Sequence, residues 1–259
     1  MLDALSHLAL EVKYVDRARA FYEETLGFQR ARAGSQGHGY EVGETTLVLR
    51  PPGEVPRGGL HVHFAMRTTD EAYDDWLDRV AGADLDPEEF DFGAYRSLYV
   101  DDPDDHCVEV GSGGDPAGVE ASHDPENARA HDLPLTGLFE VVLEVESLSA
   151  AEERYRALGF EPVDRGSDRR RVRLRGPMDL ELWEPQLGIA DARGGVHVHL
   201  GFAVEDPATA ADAFDDWTAE RVTHGEGTSV VGGHVDPPGV TVRDPDGHWL
   251  TFHEPRDGD

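Results

Sequence analysis

The sequence predicts an α+β protein of two tandem modules, each carrying a strand–helix–strands pattern twice over. Three observations predict it. Short stretches alternate apolar and polar residues as half-buried strands do. Single segments of helical periodicity interrupt them, and the whole pattern restarts near residue 60 and returns after residue 134. Four blocks of the first half recur in order in the second. His7–Val12 matches Glu140–Val145, and Leu26-Gly27-Phe28 matches Leu158-Gly159-Phe160. Asp74-Asp75-Trp76 matches Asp215-Asp216-Trp217, and Asp102–His106 matches Asp244–His248. The offset drifts along the chain as loop insertions would make it, so the ordered blocks argue for duplication.

Taken in order, Ser6–Val12 reads as a strand with His7, Ala9 and Glu11 on one face. Asp16 is placed to cap a helix from Arg17 to Leu26, where Ala18, Phe21, Tyr22 and Leu26 have helical spacing, and Gly27 ends it. Three short strands follow at Phe28–Ala33, Gly39–Val42 and Thr45–Leu49. Leu60–Arg67 restarts the pattern, Asp70 caps a helix through Val80, and Gly82 stops it. Residues 87–93 read as irregular and acidic. Tyr95–Val100 and Cys107–Val110 read as strands around a turn at Asp102–Asp105. Residues 1–112 then form the first module and 134–259 the second. Residues 113–133, rich in Gly, Pro, Ala and acid without periodicity, link them.

Composition narrows the setting. The 259 residues carry 23 Lys and Arg against 53 Asp and Glu, a formal charge of −30. The acid is spread through the chain rather than gathered in a tail, and the strand runs argue against disorder. The reading is a folded protein from a high-salt cytoplasm, a halophile, where salt screens the self-repulsion. Such a charge argues against nucleic-acid partners. Cys107 is the single cysteine, which excludes a disulfide framework and a thiolate metal cluster. The start Met1-Leu2-Asp3-Ala4 shows no basic, apolar leader, and no run is long enough to span a membrane, so a cytoplasmic location is expected.

The candidate chemistry lies in histidines. Gly58-Gly59-Leu60-His61-Val62-His63 has a near-copy in Gly194-Gly195-Val196-His197-Val198-His199. In each, a glycine turn launches a strand whose two histidines share a face. His7 on the opening strand, His63 on the restart strand and Glu109 on the closing strand would form a two-histidine, one-carboxylate triad if their strands adjoin. Such a triad holds a divalent ion and leaves positions open for substrate. The donors suit Fe(II) as well as Mn(II), Zn(II) or Ni(II). His38 and His106 fall in loops and are expected to be exposed.

An opening His in a His-x-x-Leu-x-Val frame, a mid-repeat His, and Asp-Pro followed by Glu near the end resemble the vicinal oxygen chelate superfamily. This group holds glyoxalases, extradiol dioxygenases, epimerases and the fosfomycin and bleomycin resistance proteins. The resemblance implies glyoxalase-like modules, four βαβββ units forming two curled mixed sheets with helices outside. Two modules in one chain, and the segment Gly93–Pro103, look most like the type I extradiol, catechol 2,3-dioxygenase group. That likeness implies His7, His63 and Glu109 as metal ligands and Tyr99, ten residues before Glu109, as a donor to a catecholate oxygen. It also implies an acid–base histidine. Phe92 occupies its usual segment, and His61 could stand in. The second module departs from the pattern. It has Glu140 for the opening His, Thr251 for the closing Glu and Thr241 for the Tyr, and keeps His199. It reads as degenerate, although Glu140, Glu181 and His199 could make a different metal site.

Three functions compete. The first is an Fe(II)-dependent extradiol ring-cleaving dioxygenase acting on a catechol-like small molecule. The second is a glyoxalase-like isomerase or epimerase with a non-redox metal. The third is a metal-independent binding protein of the resistance type. One fold hosts all three chemistries. The duplication could satisfy internally the pairing that single modules obtain by dimerising, so both a monomer and a homo-oligomer remain open.

Overall fold

The computed structural model describes residues 2–30, 38–51, 62–113, 132–167, 170–185, 198–218, 220–225 and 237–255. Four units follow one another. The first holds β1 (Leu2–Glu11), α1 (Val15–Ala20) running into a π turn at Phe21–Thr25, β2 (His38–Val42) and β3 (Thr45–Arg50). The second holds β4 (His63–Arg67), α2 (Tyr73–Gly82), β5 (Glu88–Asp91), β6 (Tyr95–Asp101) and β7 (Cys107–Gly113). The third holds β8 (Gly137–Glu144), α3 (Leu148–Ala157), β9 (Glu161–Arg165), β10 (Arg171–Arg175) and β11 (Asp179–Trp183). The fourth holds β12 (Val198–Val204), α4 (Pro207–Asp212), β13 (Glu220–His224), β14 (Gly239–Arg243) and β15 (Trp249–His253).

This is the expected βαβββ plan, with local differences. In the first unit, the second strand is reduced among the described residues to one bridge between Arg30 and Tyr40. Asp16 and Asp70 do not cap: Tyr14 and Ala72 hold the N-cap positions, neither with a side-chain cap bond. Ser147 and Asp206 do cap α3 and α4. The stretch read as irregular contains β5, an edge strand paired with β6. Its four residues are all exposed, so no apolar alternation marks it in the sequence. Most of the expected linker, residues 114–131, lies outside the described residues, as do His61 and His197.

The units combine in a way that chain order does not suggest. Within the second, third and fourth units the strands lie in the order second, third, fourth, first, which leaves the opening strand at an edge. An edge strand presents unpaired N–H and C=O groups and pairs with another edge. Here β1 pairs antiparallel with β12, and β4 with β8. A seven-stranded sheet, β13-β14-β15-β12-β1-β3-β2, therefore joins the first and fourth units. An eight-stranded sheet, β5-β6-β7-β4-β8-β11-β10-β9, joins the second and third.

One face of each sheet is apolar. Leu8, Leu10, Phe64, Met66, Val141, Leu143, Leu200 and Phe202 form a single core with Tyr22, Trp76 and Tyr155 from the helical segments. Two related clamps tie consecutive units across the two sheets. In one, Tyr22 donates to Asp102 at 2.9 Å. Nδ1 of His106 lies 2.9 Å from the same carboxylate, so His106 is buried rather than exposed. In the other, Tyr155 donates to Asp244 at 3.1 Å, and buried Arg154 pairs with Asp246. Among the described residues no helix is long and apolar enough to cross a membrane.

Candidate metal centre

The polar face of the eight-stranded sheet carries the candidate site, and register explains why. On β4, Ala65 lies opposite Glu109 of β7 on one side and Glu140 of β8 on the other. His63, two residues away, points to the same face. His63, Glu109 and Glu140 thus converge, each offering a ligand atom, all within 4.8 Å of one another and all buried. Nε2 of His63 lies 2.9 Å from Oε2 of Glu109. The other Glu109 oxygen accepts from the Tyr95 hydroxyl at 2.6 Å and from Ser97. A side chain at Gly111 would collide with the Tyr95 ring, so glycine there lets the tyrosine reach Glu109.

A second layer flanks the cluster. Arg173 reaches Glu140 at 2.8 Å and Glu181 at 2.7 Å. Arg171 and the Trp183 indole also donate to Glu181, at 2.9 and 2.7 Å. Tyr99 lies directly opposite Glu109, its ring 5.7 Å from the His63 ring.

The electrostatics differ between the two carboxylates. Burial opposes the charge of Glu109, but His63, Ser97 and Tyr95 together hold its carboxyl below the ordinary value. Burial, then the neighbouring charge of Glu181, pushes Glu140 well above its ordinary value despite Arg173. Burial and the Glu109 charge raise the Tyr99 hydroxyl, which therefore stays protonated. One imidazole and two carboxylates are a donor set that fits a divalent ion, whose charge would offset the buried negative charge.

The structure brings together His63 and Glu109 of the expected triad and places His7 elsewhere. His7 belongs to the seven-stranded sheet, where its ring meets the His199 ring edge-on at 4.9 Å. A Cβ at Gly201 would lie 2.1 Å from Nδ1 and Cε1 of His7, so the glycine makes room for the ring. His199 lies 2.7 Å from Thr251, which bonds Thr241 at 2.6 Å, which lies 2.8 Å from His224. The alternative site of Glu140, Glu181 and His199 is divided, because the two glutamates lie in one sheet and His199 in the other. Glu140 as a partner of His63 and Glu109 was missed. Its signal was its place in the duplication, at the position of His7. Tyr95 and Ser97 were visible only as alternate polar positions of a strand.

Comparison with known proteins agrees with this fold. Residues 4–110 match the Glyoxalase/Bleomycin resistance protein/Dioxygenase superfamily. Metallothiol transferase FosB of Lysinibacillus sphaericus (strain C3-41) is 25% identical over 118 residues, which are 43% of this chain and 84% of FosB. Glyoxalase I from Zea mays superposes with a TM-score of 0.59 at 16% identity, over 97% of this chain and 92% of the maize protein. A protein of Bacillus subtilis subsp. subtilis str. 168, provisionally described as a dioxygenase, superposes with a TM-score of 0.66 at 15% identity, over 98% of this chain and 86% of its own. The two structural likenesses concern the fold. They extend the glyoxalase-like architecture from the matched first part to the whole described chain.

Proposed function

We propose that this protein is a metal-dependent, non-redox enzyme, a glyoxalase-like isomerase or epimerase acting on a small molecule with two adjacent oxygens. The observation that carries the reading is the buried convergence of His63, Glu109 and Glu140. Two carboxylates to one imidazole is a harder donor set than the two-histidine triad of the non-haem iron oxygenases. A divalent ion held by these three residues would polarise the substrate oxygens and stabilise negative charge developing on them. Tyr95 and Ser97 hold Glu109 in place, and Arg173 fixes Glu140 and Glu181. The Tyr99 hydroxyl keeps its proton and donates to a substrate oxygen. Glu140, oriented by Arg173, would complete the ligand set beside His63 and Glu109. The charge of −30 fits a high-salt cytoplasm and argues against a nucleic-acid partner.

A second reading, an Fe(II) extradiol dioxygenase acting on a catechol, is favoured by Tyr99, which stands on the site face opposite Glu109. The experiment is elemental analysis after anaerobic purification in high salt, followed by oxygen-uptake assays. Manganese, nickel or zinc with no oxygen uptake supports the isomerase. Iron with catechol-dependent uptake supports the dioxygenase. No metal, even after reconstitution, overturns both and leaves the binding protein.

A further inference from the structure

Phe90 and Phe92 are 47% and 62% exposed, the two exposed phenylalanines among the described residues. They stand beside the metal cluster. Phe90 on β5 lies opposite Ser97 of β6, whose hydroxyl donates to Glu109, so Phe90 shares the face of the site. The two rings stack at 6.2 Å with 16° between their planes. Phe90 meets Tyr99 edge-on at 5.4 Å, and Tyr99 in turn meets His63. Phe92 stacks on Tyr95 at 6.0 Å, the tyrosine that holds Glu109. A continuous aromatic surface therefore runs from the open edge of the sheet to the ligand cluster. The opposite flank is built differently, from the ion pairs of Arg171 and Arg173 with Glu181.

From this geometry we infer that Phe90 and Phe92 are specificity-determining residues that receive an extended, flat, apolar group of the substrate. The inference rests on the metal-site reading above. β5 lies two strands from β7, roughly 10 Å across the sheet. A ligand whose oxygen pair meets the metal needs about two fused rings to lie along Tyr99 and reach Phe90. A second copy of the chain pairing at this edge is disfavoured, because β5 carries Glu88, Glu89 and Asp91, and charge on an edge strand opposes strand addition.

The test uses two hydroxamates with the same oxygen pair, acetohydroxamate and 2-naphthohydroxamate. Each is titrated calorimetrically into the Mn²⁺-loaded protein. The naphthyl compound is expected to bind on the order of tenfold tighter to the wild type and within about threefold in Phe90→Ala/Phe92→Ala. Mn²⁺ and acetohydroxamate affinities are expected to stay the same in that variant, and circular dichroism checks its fold. A ring preference that survives the double substitution overturns the inference, as does a wild type with no preference. So does a wild-type dimer that Phe92→Asp converts to monomer by light scattering, which would make the wall a self-association surface. Failure of Mn²⁺ to bind at all removes the metal-site reading and the inference with it. Normal Mn²⁺ binding without ring preference removes the inference alone.

Discussion

Replacing Glu140 by glutamine separates the proposed ligand cluster of His63, Glu109 and Glu140 from the triad the sequence suggests. The ligand atoms of His63, Glu109 and Glu140 lie within 4.8 Å of one another. Two unit negative charges at that distance repel by about 3 kcal/mol at an effective permittivity of ~20. Arg173 offsets part of this, yet burial and Glu181 still disfavour the Glu140 charge. Metal-free Glu140→Gln should therefore melt at or above the wild type. Metal reverses the order. At a hundredfold excess over Kd, a bound ion stabilises the wild type by about 2.7 kcal/mol, or about 5–10 °C for a chain of this size. Loss of a residue that merely orients a ligand can cost about a hundredfold in affinity. Such a loss alone would leave Glu140→Gln about 0.4 kcal/mol of gain, or roughly 1 °C. His7→Ala should keep the full shift, since His7 stands in the other sheet. Thermal melts of chelator-stripped protein with and without Mn²⁺ give the answer. Loss of the shift in His7→Ala, with its retention in Glu140→Gln, would refute the assignment.

Three further predictions concern stability. Arg154→Met strands the buried carboxylates of Asp244 and Asp246 and should cost about 3–5 kcal/mol in urea unfolding; a loss below about 1 kcal/mol would show that this clamp does not hold the units together. Burial above all, with Asp246 adding to it against Arg154, raises the Asp244 carboxyl from 3.8 to about 6. The folded state thus holds this proton more tightly than the unfolded chain. The resulting stabilisation is present below about pH 4, and on the order of 3 kcal/mol is lost as pH rises through about 6. Asp244→Asn should flatten that part of the stability–pH curve, and an unchanged curve would contradict the assignment. Raising KCl from 0.1 to 1 M shortens the screening length from about 10 to about 3 Å. With a charge of −30, the melting temperature should climb, and a flat or falling response would count against the high-salt setting.

Much of the architecture was legible because it depends on local pattern. Alternation along Ser6–Val12 and Tyr95–Val100 assigns faces wherever those strands end up, since the side-chain period of a strand is two. Glycines at 27 and 159 end related segments with positive φ in both halves, which L side chains rarely adopt. The matched Asp-Pro turns became matched clamps, Asp102 with Tyr22 and Asp244 with Tyr155. Strand β5 was harder to read because its exposed residues carry no apolar alternation, and the N-caps Tyr14 and Ala72 because neither is among the residue types that usually cap.

What sequence alone determined was therefore the unit, its repetition, and the polar face on which His63 and Glu109 both stand. Only the tertiary structure decided which opening strand would meet which. Each unit ends in the same kind of unpaired edge, and hydrogen bonds between backbones do not distinguish one edge from another. Pairing β4 with β8 set Glu140 beside Ala65 and so beside His63 and Glu109, while pairing β1 with β12 carried His7 to His199. Glu140, a departure from the expected histidine when read along the chain, became a member of the site across a strand.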